Sequence, residues 1–177
     1  MKSVKITAKK NFDLNKIKLD VSKELNLIGD MIRKDIRMGI KAQRTIDGKV
    51  MKPLHPFTVK EKGFPAPLIK EGTMSRVNVK KATKKKQEVK IYPAKQRTQP
   101  IKGFPLGIAE IQQKGARIRV TDNMRAYLHG RGLHLSKKTQ SLEIPARPWF
   151  GISDKIMRDI PRMIKARIRQ EIRRARF

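Results

Sequence analysis

The sequence predicts an α+β protein, because two long helical patterns enclose a central region of short strand-like patterns. The first helical pattern is an apolar stripe over residues 14–40. A strand–turn–strand pattern follows at residues 77–92, and a second helical stripe occupies residues 153–177. The 177 residues fit one domain, residues 1–177, and no internal repeat is visible.

The first helix is predicted from apolar residues that recur every three or four positions, over about eight turns. Asp13 is its expected N-cap and Gly48 its expected end, while Gly29 and Gly39 weaken it locally. The stripe consists of Leu14, Ile17, Val21, Leu25, Ile28, Ile32, Ile36 and Ile40.

Short strands are predicted on both sides of this helix. Val4 to Thr7 fits a short edge strand, and apolar residues alternate with polar ones in residues 77–92, which predicts a hairpin with a basic tip. The tip carries Lys84, Lys85 and Lys86, which are expected to be exposed. These lysines either form a solubilising turn or reach a phosphate group.

Residues 47–75 are rich in proline and glycine, so they are expected to form a long loop with few helical turns. Loops of this length are more often functional or interface-forming than idle. A second proline-bearing loop is expected over residues 93–107. The elements predicted after it are a helix from Ile108 to Lys114 closed by Gly115, a strand from Arg117 to Val120, a helix from Asp122 to His129 capped by Thr121, and a strand from Leu142 to Ile144.

Residues Ile144 to Gly151, Ile-Pro-Ala-Arg-Pro-Trp-Phe-Gly, contain the single tryptophan of the chain. The two prolines fix their own φ angles and push their predecessors towards extended geometry, which predicts a stiff arm. We expect Trp149 and Phe150 to be buried in their own core or against a neighbouring subunit. A proline-bounded strand end that feeds the core is the plainer alternative. We favour their own core for the two rings and a neighbouring subunit for Arg147.

The C-terminal helix is expected to begin after Ser153, its predicted N-cap, with Asp154 and Asp159 favourably placed near its start. Pro161 is expected to kink the helix or to restart it. Its apolar stripe consists of Ile156, Met157, Ile160, Met163, Ile164, Ile168 and Ile172. The remaining surface is basic, with Lys155, Arg158, Arg162, Lys165, Arg167, Arg169, Arg173, Arg174 and Arg176.

The formal net charge is +29, and the basic excess is spread over every third of the chain. Such a fold repels itself unless a polyanion or an acidic partner lies close, and nucleic acid is the first candidate. Membrane binding is a weaker candidate, because no lipidation signal and no transmembrane-length apolar stretch is present. The candidate contacts to DNA or to an acidic partner are Lys84, Lys85, Lys86, Arg167, Arg173 and Arg174.

No catalytic pattern is visible, so the sequence predicts neither an enzyme nor a cofactor or metal site. Cysteine is absent, which excludes disulfides and thiolate chemistry. His55, His129 and His134 lack metal-ligand spacing, and the acidic residues are scattered singly rather than clustered as a metal-dependent nuclease requires. The N-terminus lacks an apolar secretory region, so synthesis in a cytoplasm is expected.

Four segments, in this order, resemble the phage virion morphogenesis family, the tail-completion proteins of tailed phages: residues 47–54, 67–72, 108–115 and 144–151. The chain departs from the family at Met51, where an aromatic is usual, and at Gln112, where a histidine is common. The positions implied as interface or structural positions are Asp47, Gly48, Pro53, Leu54, Leu68, Ile69, Gly72, Ile111, Gln113, Gly115, Ile144, Pro145, Arg147, Pro148, Trp149, Phe150 and Gly151.

The resemblance implies a small, mainly antiparallel β-sheet packed by a long N-terminal helix and a C-terminal helix, with long Pro/Gly-rich loops. It implies a non-enzymatic virion protein of the neck or upper tail, which assembles as a ring of six copies and contacts neighbouring neck, connector or tail-tube proteins. The alternative from the residues alone is a general basic nucleic-acid-binding protein. That alternative explains the net charge but not the loops of residues 47–72 or the tryptophan arm.

Overall fold

The computed structural model describes residues 3–7, 20–68, 73–94 and 107–174. In this part of the chain, one strand precedes the first long helix, and four short strands, three short helices and one 3₁₀ turn lie between it and the second long helix. The elements are β1 (Val4–Thr7), α1 (Ser22–Lys41), α2 (Pro56–Lys62), the 3₁₀ turn (Thr73–Ser75), β2 (Val77–Lys80), β3 (Glu88–Pro93), α3 (Ile108–Lys114), β4 (Ala116–Arg119), α4 (Asp122–Gly130), β5 (Ser141–Ile144) and α5 (Asp154–Arg174).

The strands form two small antiparallel sheets, which confirms the predicted α+β fold class. The first sheet has the order β1-β3-β2, with Ile6 opposite Val89 and Val79 opposite Ile91. The predicted edge strand β1 and the predicted hairpin β2–β3 are therefore both present. The second sheet pairs β4 with β5, with Ile118 opposite Leu142.

The core lies between α1, the three-stranded sheet, α5 and the segment that precedes α5. α1 contributes one face of its apolar stripe and approaches the sheet closely at Gly29. A β-carbon at Gly29 would lie 2.7 Å from Val89 Cγ2 and 3.1 Å from Val79 Cγ1. The absence of a side chain at Gly29 therefore allows α1 to pack closely against the sheet. The main cluster comprises Ile28, Ile32, Ile36, Ile40, Met51, Met74, Val77, Ile91, Ala109, Trp149, Phe150 and Ile156.

α1 differs from its predicted bounds at both ends. It begins at Ser22, whose N–H donates to the Asp20 carboxylate at 2.9 Å, and hydrogen bonds to Ser22 lower the pKa of Asp20. The expected cap Asp13 and the first two residues of the stripe lie outside the described residues. At the other end the helix stops at Lys41, because Gln43 adopts a left-handed conformation with φ of 55°. Gly48 is therefore not the helix end.

The shorter elements follow their local signals. α3 has its predicted bounds and ends at Gly115, and the Thr121 hydroxyl caps α4 by accepting the Met124 N–H at 3.2 Å. β4 begins and ends one residue earlier than predicted, and β5 begins one residue earlier. The first long loop contains α2, whose start is capped by the His55 ring. Most of the second loop, residues 95–106, lies outside the described residues.

α5 is one continuous element, so the helix does not restart at Pro161. Ile160, Met163 and Ile164 pack against the core around it, and this burial offsets the hydrogen bond that the proline removes. The predicted cap at Ser153 is wrong in its chemistry: its hydroxyl is buried and has no hydrogen-bond partner among the described residues. No helix in the described ranges is long and apolar enough to cross a membrane.

Gly29→Ala is expected to lower the free energy of unfolding, by about 1 kcal/mol. Alanine favours a helix over glycine by about 1 kcal/mol, but overpacking of a dense core costs about 1–3 kcal/mol. Urea unfolding followed by circular dichroism measures the difference. Gly130→Ala is the control, because a β-carbon there meets open space, and it is expected to be neutral or stabilising. A Gly29→Ala protein as stable as the original would contradict the close approach.

Candidate functional site

The candidate site is the proline arm, which we define as residues 144–151, with the segments that hold it. The arm continues from β5, where Ile144 pairs with Ala116 of β4. It then leaves the sheet and runs to α5 without regular secondary structure. Because such a segment lacks the hydrogen-bond ladder of a sheet, its buried backbone groups need partners from other elements.

The two aromatic residues of the arm are buried in their own subunit. Trp149 is 2% exposed and Phe150 is 5% exposed. Their ring centroids lie 5.4 Å apart at an interplanar angle of 63°, an edge-to-face arrangement that aromatic pairs favour. The indole Nε1–H of Trp149 donates to the Ala109 carbonyl at 3.3 Å. Of the two predicted locations for the rings, their own core is the correct one.

Gln113 of α3 holds the backbone of the arm with one side chain. Its Oε1 accepts the N–H groups of Trp149 and Phe150, each at 3.0 Å. Its Nε2 donates to the Phe150 carbonyl at 2.9 Å. The arm has no neighbouring strand at these residues, so the amide of Gln113 provides the acceptor and the donor that its backbone needs. An amide side chain suits this position because it carries both kinds of group.

Gly115 allows the arm to pass directly over the end of α3. Its φ is 75°, and a β-carbon there would lie 2.8 Å from the Ile144 carbonyl oxygen and 2.9 Å from the Ala146 nitrogen. Both atoms belong to the backbone and cannot move aside as a flexible side chain can. Only glycine satisfies the conformation and the contact together.

Arg147 is the one buried charge of the arm, at 3% exposure. Its Nε and Nη2 donate to the carbonyls of Lys52 and Pro53 at 2.7 and 2.8 Å. Its Nη1 donates to Gln112 Oε1 at 3.0 Å. The acceptors are neutral oxygens rather than a carboxylate, and burial lowers the pKa of the guanidinium.

The prediction that Arg147 reaches a neighbouring subunit is therefore wrong. Its guanidinium lies inside the chain, because the loop of residues 51–54 and α3 supply acceptors that match its planar fork. The backbone supports the same arrangement, since Arg147 N–H donates to the Gln112 carbonyl at 2.7 Å. Gln112 thus takes part in this internal network through its side chain and its backbone carbonyl.

The arm also holds a tight turn at residues 44–50. The Pro148 carbonyl accepts the Ile46 N–H at 2.8 Å, and within the turn Thr45 N–H donates to the Lys49 carbonyl at 2.7 Å. Gly48 has a φ of 82°, and hydrogen bonding from Thr45 lowers the pKa of Asp47. Val50 is 81% exposed at the end of the turn. The turn is thus hydrogen-bonded to the arm and projects an apolar side chain into solvent.

A groove of about 440 Å³ lies beside this turn, between the end of α1 and the start of α5. Met38, an exposed apolar residue of α1, and Trp149 contribute to its apolar wall. Asp35, Asp47 and Asp154 bring three carboxylates to the groove, and Arg44 and Lys155 bring two cations. Turn and groove together form a surface with apolar side chains and charges of both signs.

The remaining predicted positions fall into three groups. Ile111 is buried, and Leu54, Pro145 and Gly151 are half-buried. Leu68 has a φ of 59° and packs against the main core cluster. Ile69 and Gly72 lie outside the described residues. Most of the motif positions thus build the subunit, and among them Asp47, Gly48 and the ring of Pro53 are exposed.

The predicted basic contacts separate into exposed and paired residues. Lys84, Lys85 and Lys86 are exposed at the hairpin tip, as predicted. Arg167 is not a surface cation: its side chain is 18% exposed and ion-paired with Glu24 at 3.3 Å and Glu171 at 2.8 Å. It ties α5 to α1, and this pairing removes it from the candidate contacts.

Arg174 also pairs with Glu171, at 3.2 Å, whereas Arg173 is exposed. The predicted contacts omitted five exposed cations of α5 that lie on the same outward face as Arg173. A projection of the helix at about 100° per residue would have found them. They are Lys155, Arg158, Arg162, Lys165 and Arg169.

Within the described ranges, no group of three or more histidine, aspartate or glutamate residues is placed to hold a metal ion. Comparisons of the chain with protein-family models, with curated proteins and with solved structures find no match.

Gln113→Ala is expected to lower the free energy of unfolding by about 2–4 kcal/mol, since three hydrogen bonds to buried backbone groups contribute about 1 kcal/mol each. Urea unfolding followed by Trp149 fluorescence measures the loss. Gln140→Ala, at an exposed position, is the matched control and should stay within about 0.5 kcal/mol. Equal stability of Gln113→Ala and Gln140→Ala would contradict a stabilising role for the three hydrogen bonds of Gln113.

Arg147→Lys is expected to be destabilising by about 2–3 kcal/mol, because an ammonium group cannot reproduce the fork that reaches Lys52, Pro53 and Gln112. Thermal unfolding is the measurement, and Arg158→Lys on the exposed face of α5 is the control. An Arg147→Lys protein that keeps its stability but loses self-association would restore the intersubunit interpretation.

Proposed function

We propose that this protein is a structural component of a tailed-phage virion, at the neck or the upper end of the tail. It acts in tail completion, tail termination or head–tail joining, and it assembles as a homo-oligomeric ring of six copies around the path of the DNA. Its partners are further copies of itself and neighbouring neck, connector or tail-tube proteins. The ordered motifs that resemble the phage virion morphogenesis family support this proposal.

One structural observation carries the proposal: the four motifs converge on one core. Pro53 of the first motif and Gln113 of the third hydrogen-bond the arm, which is the fourth, and Leu68 of the second packs against the same cluster. Separated sequence motifs that build one packed unit are expected when they belong to a shared fold. This convergence supports a resemblance that extends to the fold and is not limited to isolated residues.

The turn of residues 44–50 is the intersubunit contact that we propose. A ring needs a head-to-tail contact between two different surfaces of the same subunit. The turn offers an apolar side chain, Val50, on a backbone fixed by Pro148. Because its hydrogen bonds hold it in place before assembly, little conformational entropy is lost on binding.

The net charge supports a position around DNA. Six copies at +29 each repel one another strongly unless anions lie close. Genomic DNA in the lumen of the ring supplies phosphates at high density. The same charge is the main support for the second candidate function, a general nucleic-acid-binding protein that acts without a ring.

The two functions differ in the surface that they need. Proteins that read single-stranded nucleic acid present aromatic side chains for base stacking. Tyr127 is the only aromatic residue among the large exposed apolar side chains of the described residues. This scarcity favours contacts to phosphates, which a ring around duplex DNA requires. A sequence preference that survives high salt would favour the second function.

Val50→Asp is expected to lower the fraction of protein in rings by about tenfold, while the free energy of unfolding changes by less than about 0.5 kcal/mol. The side chain is exposed in the subunit, so only an interface buries the new charge. Mass photometry and negative-stain microscopy measure the rings. Asn123→Asp on the exposed face of α4 makes the same charge change elsewhere and should leave the rings intact.

Strictly monomeric protein that never associates with tail or connector proteins would contradict the proposal. Rings that persist in Val50→Asp would instead remove the turn from the interface and leave the ring itself in place. A gene neighbourhood with portal, capsid and tail-tube genes would add independent support for the virion assignment.

A further inference from the structure

The outward face of α5 is a continuous basic surface. The helix has 21 residues, and six of its cations are exposed on the side away from the core. We call this surface the α5 rail. Its members are Lys155, Arg158, Arg162, Lys165, Arg169 and Arg173.

The rail is narrow and long. At about 100° and 1.5 Å per residue, its six positions fall within an arc of about 80° and extend over about 27 Å. The opposite side of the helix carries Ile156, Ile160 and Ile164, which pack on the main core cluster. The rail therefore points away from the main core cluster, and its first member, Lys155, also borders the groove beside the turn of residues 44–50.

The rail contains no acidic residue. Asp154 and Asp159 lie just outside the two edges of the arc, whereas Glu171 lies on the opposite side of α5 and pairs with Arg167 and Arg174. Among the described residues, the single ion pair made by a rail member is Arg162 with Asp159, at 3.7 Å and largely exposed. A pair of this kind is weak, so all six cations are available to a partner.

α1 provides the comparison within the same molecule. It is almost as long as α5 and carries the same number of acidic residues, but one of them, Asp30, lies within the arc of its exposed cations and pairs with Arg33 at 2.8 Å. That mixture is typical of a solvated helix face. The uniform sign of the rail is therefore not a general consequence of the basic composition.

We propose that the α5 rail binds the phosphate backbone of duplex DNA. Duplex DNA carries about one negative charge per 1.7 Å of axis. A single row of cations about 27 Å long can therefore lie along the phosphates on one side of the duplex. Four of the six members are arginines, which bind phosphate through two parallel hydrogen bonds. The rail has no aromatic side chain for base stacking and no amide to read base edges, so binding is independent of sequence.

The inference rests on the proposed function for the source of the duplex, which is the DNA that passes through the neck. The contact itself is a property of the free subunit. Binding to free duplex therefore succeeds or fails independently of ring formation, and mass photometry of the same variants reports on the ring separately.

The test compares two variants that lower the net charge by the same amount. The rail variant carries Arg158→Gln, Arg162→Gln, Lys165→Gln and Arg169→Gln. The control, at the hairpin tip, carries Lys81→Gln, Lys84→Gln, Lys85→Gln and Lys86→Gln, all at exposed positions. Fluorescence anisotropy with a duplex of about two turns, at several salt concentrations, gives the affinity and its salt dependence.

The rail variant is expected to bind at least about tenfold more weakly, with a salt slope lower by about three to four, because each lost phosphate contact lowers the slope by about one. The control is expected to lose less than about threefold. A third variant, with Arg158→Lys, Arg162→Lys and Arg169→Lys, keeps the positive charge of the rail. It is expected to retain most of the affinity of the unaltered protein.

Equal losses in the rail variant and the control would overturn the inference, since net charge alone would then explain binding. Tight binding of polyglutamate together with no binding of duplex would also overturn it and assign the rail to an acidic protein. A readout on the unaltered protein guards against a misfolded variant: duplex should protect Lys155 and Lys165 from acetylation while Lys84 to Lys86 stay reactive. The reverse protection pattern would contradict the rail.

Discussion

The subunit depends on the way in which a buried segment without regular secondary structure satisfies its polar backbone groups. The proline arm carries Trp149 and Phe150 into the core, and an unpaired N–H or carbonyl there costs about as much as a lost hydrogen bond. Gln113 supplies one acceptor and one donor to this backbone, and Arg147 in turn satisfies carbonyls of a second loop. The side chains of Gln113 and Arg147 thus form hydrogen bonds with backbone groups that no neighbouring strand pairs with.

This arrangement connects parts of the chain that are far apart in sequence. The contact of Arg147 with Lys52 spans 95 positions, and the contact of Gln113 with Phe150 spans 37. Through Pro148 the same arm fixes the turn of residues 44–50, whose exposed Val50 is the proposed contact between copies. The position of the proposed interface therefore depends on the arm, which is itself packed into the core.

The few acidic residues have a structural use that shapes the charged surface. Glu24 and Glu171 hold Arg167 between the two long helices, and Glu88 lies within 3.4 Å of Lys5 and 3.2 Å of Lys90. Where acids are placed at internal contacts, the cations that remain face outwards without compensation. The α5 rail is the most regular row of such cations, and it is the surface that we propose for binding a polyanion.

Local signals in the sequence were sufficient to predict several of the helices and strands. Periodicity located α1 and α5, alternation located the hairpin, and Thr121 and Gly115 marked the bounds of their helices correctly. The folded chain was needed to show that Arg147 points inwards, that Arg167 joins two helices and that Gln113 hydrogen-bonds the arm. These side chains have partners 35 to 143 positions away, and a local pattern contains no information about which distant acceptor a donor will meet.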